Sequence, residues 1–153
     1  MQHIEMHYFD NAATSWPKPD TVYEAVDEFL RFNGASPGRS SHCLAKQADQ
    51  LVDDTRALLA RFFNAPDPRQ VAFTFNATDG LNMVIKGLLK PGDHCITTTI
   101  EHNSVSRPLR RLEREGVELT YLQADEQGFV HPEDLEPLFQ PKTRLVILAH
   151  ASN

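Results

Sequence analysis

The sequence predicts an α/β sandwich with a largely parallel sheet, and two observations carry that expectation. From residue 71 onward, short apolar or β-branched runs alternate with segments whose apolar residues recur at helical spacing. The last such run, Leu145-Val146-Ile147-Leu148-Ala149, is almost continuously apolar, as suits a strand covered on both faces. Strands that alternate with helices pair in parallel through crossover connections.

The elements follow in order. After a short arm, Pro17-Lys18-Pro19-Asp20 reads as an extended lead-in ending in a helix cap. Val22, Ala25, Val26, Phe29 and Leu30 then mark a helix that Gly34 stops. Residues 33–41, rich in Gly, Ser and Pro, form a loop. A second long helix follows, carried by Leu44, Ala48, Leu51, Val52, Leu58, Leu59 and Phe62 and ended by Asn64-Ala65-Pro66-Asp67-Pro68. Val71-Ala72-Phe73-Thr74-Phe75 reads as a strand feeding a helix through Leu81, Val84, Ile85 and Leu88. Beyond the Lys90-Pro91-Gly92-Asp93 turn come a strand at Cys95-Ile96-Thr97-Thr98 and a charged helix over 104–115. A strand over 117–122, a turn over 125–128 and a short helix opened by Pro132-Glu133-Asp134-Leu135 precede the last strand.

Composition excludes several classes. An apolar share of 41% with 24% charged residues is that of a globular chain rather than a disordered one. A formal charge of -6 with scattered basic residues argues against nucleic-acid binding, which needs clustered Lys and Arg. No apolar run approaches the roughly 20 residues that cross a bilayer, and the start lacks a signal core, so a cytoplasmic protein with no membrane partner is expected. Cys43 and Cys95 are far apart with no CxxC spacing, which signals neither a metal site nor a disulfide; both are expected as buried thiols.

Three segments that follow predicted strands could carry chemistry. Asn76-Ala77-Thr78-Asp79 lies at a strand-to-helix junction, where unpaired amides and a hydroxyl suit a phosphate; equally, Asn76 or Thr78 could simply cap the helix. Glycine fingerprints for a dinucleotide or a P-loop are absent. His102, in Glu101-His102-Asn103-Ser104, could stack on a planar cofactor and move protons, or could cap its helix. His150-Ala151-Ser152-Asn153 follows the last strand. A parallel sheet would bring all three segments to one edge, the edge where open α/β sheets bind ligands. The sequence ends at Asn153, where such a fold is expected to continue into a ligand-facing loop.

This ordered set resembles the cysteine desulfurase family, within the class V aminotransferase group of fold-type I pyridoxal 5'-phosphate (PLP) enzymes. The opening Tyr8-Phe9-Asp10-Asn11-Ala12-Ala13-Thr14 is similar to that family's N-terminal motif. Pro37-Gly38-Arg39-Ser40 and Ile100-Glu101-His102-Asn103-Ser104-Val105 resemble one branch of it.

The resemblance implies a three-layer α/β/α sandwich, here incomplete, with an arm over 1–19 on the small-domain side and the first part of the PLP-binding large domain over 20–153. It implies that Thr78 and the backbone of Ala77, beside Asn76, bind the cofactor phosphate, and that His102 stacks over the pyridine ring and assists proton transfer. Asn153 would face the phenolic oxygen or the substrate carboxylate. Asn11 and Ala12 would line the substrate side, and Arg39 and His42 would reach across a homodimer interface. Asp79 stands where many members have Glu.

The implied reaction moves sulfur from L-cysteine or a related amino acid to an enzyme cysteine, with release of alanine, and a protein sulfur acceptor is a possible partner. Relatives carry the cofactor lysine, the sulfur-accepting cysteine, the Asp beside the pyridine nitrogen and a carboxylate-binding Arg later in the chain. The 153 residues are therefore expected to be inactive alone. Lys18, Lys46, Lys86, Lys90 and Lys142 fall outside the matched motifs and read as surface residues. Two other readings remain: another class V PLP enzyme (aminotransferase, epimerase or selenocysteine lyase), and a non-catalytic interaction module.

Overall fold

A computed structural model describes residues 6–38 and 41–150. The chain divides into two compact units, one ending at Ala72 and one beginning at Phe73.

The first unit is helical. α1 (Asp20–Phe32) starts behind Pro19, so Asp20 lies in the first turn rather than at the cap. Its end is made by Gly34, whose φ of 57° lies in the left-handed region that glycine tolerates, and whose N–H donates to the Phe29 carbonyl at 2.8 Å. α2 (Cys43–Phe62) is capped by His42, whose Nδ1 accepts from the Ala45 amide at 3.2 Å. Small residues Ala45, Ala48 and Ala60 are its buried positions. Cys43, expected to be buried, is exposed, because the first helical position presents it to solvent.

The second unit holds the sheet. β1 (His94–Thr98) is central, flanked by β2 (Glu118–Leu122) and β3 (Thr143–Val146) in the order β2-β1-β3, and both pairings are parallel. All five β1 residues are buried, as a central strand covered on both faces requires. α3 (Ala77–Leu88) and α4 (Asn103–Arg114) supply Ile85, Val105 and Leu109 to a core shared with Leu89, Cys95 and Val117. Burial of about six such side chains, at roughly 1.5–3 kcal/mol for each large one, is what holds this unit together. The short α5 (Pro132–Leu135) precedes β3.

Two sequence expectations fail here. The run 71–75 is not a strand: apolar content alone does not create a ladder, no pairing brings it into the sheet, and Phe75 is 98% exposed. The last strand stops at Val146, three residues early, although the Ile147 amide still donates to the Ile96 carbonyl at 3.0 Å.

Candidate active site at the starts of two helices

Both helices that cover the sheet begin with a side chain that takes up a first-turn amide. Asn76 caps α3, with Oδ1 accepting from the Asp79 amide at 2.9 Å, and Asp79 accepts in return from the Phe75 amide at 3.4 Å. This arrangement resembles a capping box, except that the Asp79 side chain returns to the residue before the cap. It leaves the amides of Ala77 and Thr78 without intrahelical partners at the positive end of the helix. Gly80 lets this turn lie against Thr74, since a Cβ there would meet the Thr74 hydroxyl at 3.2 Å.

His102 caps α4. Its Nδ1 accepts from the Ser104 amide at 3.1 Å and lies 2.8 Å from the Ser104 hydroxyl. An accepting Nδ1 puts the proton of the neutral ring on Nε2, which is left for a ligand. The capping and ligand readings of His102 are thus compatible, because each uses a different nitrogen.

Thr78, Asn82 and Lys86 of α3 face His102, Ser104, Arg107 and other α4 residues across a cavity of about 450 Å³. The structure therefore brings Thr78 and His102 to one cavity, with Asn76 and Ala77 at the same helix start. Lys86, Arg107 and Arg111 line the same cavity and make it cationic. Lys86 read only as a surface residue in the sequence, although its eight-residue spacing from Thr78 puts both on one helix face.

The loop after β1 is tied to both neighbouring strands. Thr99 donates its amide to the Leu122 carbonyl at 3.1 Å and its hydroxyl accepts from the Ala124 amide at 3.4 Å. Glu101 accepts from the Thr98 hydroxyl at 2.8 Å and from the Ala149 amide at 2.7 Å. A second cavity, about 760 Å³, lies where the strands end and is lined by Ile100, Phe129, Leu135, Leu148 and His150 among others.

The remaining candidates lie elsewhere. Asn11 shapes its own turn, accepting from the Trp16 amide at 3.1 Å, and Ala12 is exposed beside it. His42 uses Nδ1 to cap α2. Arg39 and Asn153 lie outside the described residues. Burial raises the Cys95 thiol to about 11, which keeps it protonated and inert. Among the described residues no cluster could hold a metal ion, and no helix is long and apolar enough to cross a membrane.

Residues 7–153 match the family model described as Aminotransferase class-V. The chain belongs to that family. The cysteine desulfurase IscS of Shewanella loihica is 38% identical over 152 residues, covering 95% of this chain and 37% of that protein. The apo structure of a cysteine desulfurase from Thermococcus onnurineus superposes with a TM-score of 0.84 at 35% identity, over 95% of this chain and 37% of that one. A C-DES mutant with glycine covalently linked to its PLP cofactor gives 0.63 at 26% identity, over 86% of this chain and 34% of that one. The fold is thus that of the fold-type I class V enzymes, and the chain spans about 37% of the length of the curated relatives it matches.

Proposed function

We propose that this chain is the N-terminal part of a PLP-dependent cysteine desulfurase acting on L-cysteine, a cytoplasmic homodimer that passes sulfur to an acceptor protein. The observation that carries the reading is the shared cavity of Thr78 and His102, together with relatives named cysteine desulfurase. In this proposal residues 1–19 form an arm and 20–153 the start of the cofactor-binding domain, and the 153 residues alone are catalytically silent.

The donor set fits a phosphorylated aromatic group. Two first-turn amides without intrahelical partners, the Thr78 hydroxyl and the dipole of a 12-residue helix favour a dianion. Thr78, Ala77 and Asn76 would hold the phosphate. PLP, when bound, supplies an electron sink for chemistry at the amino acid's α-carbon. His102, oriented by Ser104, would lie against the ring and handle a proton at Nε2. Asn153 would serve the phenolic oxygen or the substrate carboxylate, with Asn11 and Ala12 on the substrate side and Arg39 and His42 serving a partner protomer's site.

The test is a titration of PLP with the chain, followed by phosphorus NMR. The phosphate resonance is expected to move on binding, and to stop moving in Thr78→Val while the thermal melt is unchanged. A resonance that stays in place with the wild-type chain rejects the reading.

A further inference from the structure

Glu101 lies outside the cavity shared by Thr78 and His102, yet it makes the hydrogen bonds that join the loop after β1 to the chain after β3. One oxygen, Oε1, accepts from two donors: the Thr98 hydroxyl at 2.8 Å and the Ala149 amide at 2.7 Å, 48 residues away. Thr98 is itself fixed, being 3% exposed and accepting from the Ile100 amide at 3.3 Å. The residue after Glu101, His102, caps α4. β3 has already left its ladder at Val146, and beyond the Ile147 bond to Ile96 the Glu101 carboxylate holds the Ala149 amide beside the end of β1.

We propose that Glu101 is a positioning residue, whose carboxylate sets the separation between the loop that delivers His102 and the strand exit at Ala149. The link to catalysis rests on the cofactor reading above; the brace itself does not. Its geometry makes distinct demands on substitutions. Glutamine keeps an acceptor oxygen at the same reach. Aspartate keeps the charge but is one methylene shorter, and alanine removes the acceptor altogether.

The experiment is amide hydrogen exchange by NMR on the 153-residue chain, with the Ile147 amide as internal reference because its acceptor is a backbone carbonyl. A hydrogen bond to a charged acceptor is worth enough that its loss should speed Ala149 exchange by about tenfold or more. Glu101→Asp and Glu101→Ala should both show this with Ile147 unchanged, and Glu101→Gln, which keeps a neutral acceptor at the same reach, should retain part of the protection and exchange several-fold more slowly than Glu101→Ala. Wild-type exchange at Ala149 in Glu101→Ala overturns the brace. If Glu101→Ala loses protection at Ile147 as well, the variant has unfolded and Glu101→Gln decides: retained Ala149 protection supports the brace and lost protection overturns it. In a phosphorus NMR titration with PLP, Glu101→Ala should bind several-fold more weakly than Glu101→Gln. A wild-type chain that binds no PLP would sink the cofactor reading while leaving the exchange result to stand or fall separately.

Discussion

The two ends of β1 carry the same residue type in opposite circumstances. At the amino end His94 is fully buried, and both ring nitrogens are engaged, Nδ1 with the Thr143 hydroxyl and Nε2 with the Thr120 hydroxyl, each at 2.8 Å. One imidazole thus ties all three strands together. Past the carboxyl end His102 is exposed, and among the described residues only its Nδ1 is engaged. A histidine with both nitrogens satisfied is a structural part; one with a nitrogen to spare at a cavity wall can act on a ligand. The lesson extends to cysteine, since Cys95 is buried and protonated whereas Cys43 is exposed.

The largest effect is expected at the closed end. His94→Ala would leave a cavity and take a hydrogen-bond partner from the half-buried hydroxyls of Thr120 and Thr143, and should cost about 3 kcal/mol by chemical denaturation. His102→Ala should cost only about 1 kcal/mol, the value of a helix cap. His102→Asn should recover most of that, because asparagine caps well, without restoring the PLP-induced shift of the phosphorus resonance. Equal losses at the two histidines would break the distinction.

Acidity probes the same contrast. Burial holds the His94 imidazole below its ordinary value of 6.5, with Glu118 opposing and Lys142 adding to the shift. Below pH 6.5 the unfolded chain therefore takes up a proton that the folded chain refuses. The contribution is complete above that pH and declines as the pH falls toward the folded value. Melts recorded from pH 7.5 down to 5 should show this decline in the wild type and a flatter profile in His94→Gln.

Helices were legible because long amphipathic periodicity is local: α2 and α4 stand within a residue or two of where their apolar spacing puts them. β1 and β2 were legible for a similar reason, being short β-branched or alternating runs with a turn before each. The run 71–75 misled because a strand is a property of a pair, and its apolar residues carry no information about a partner. The site was half legible. Thr78 and His102 could be named from their place at helix starts, and Asn76 rather than Thr78 proved to be the cap. Glu101 could not be named, since its partner is an amide 48 residues away and a backbone group leaves no mark in the sequence.

The smallest expected effect lies in the loop after β2, where a third histidine occupies an intermediate case. Asp125 accepts from the Phe129 amide at 2.8 Å, the Gln127 amide at 2.9 Å and His131 Nε2 at 3.0 Å, and so folds the turn that carries Phe129 to the wall of the larger cavity. The Asp125 hydrogen bond, with the charges of Glu133 and Asp134 nearby, raises His131 above 6.5. The sign is opposite to that of His94: the stabilisation is complete below pH 6.5 and is lost as the pH rises through the folded value. Both partners are solvent-accessible, so global melts should barely register the change. Exchange at the Phe129 amide is the sensitive measure. After correction for intrinsic base catalysis, its protection should weaken as the pH rises from 6 to 8 in the wild type. In His131→Asn it should stay level, because the three-residue Asx geometry persists without the titrating ring. A parallel pH response in that variant would mean that the loop is set by Asp125 alone and that His131 is a bystander on its surface.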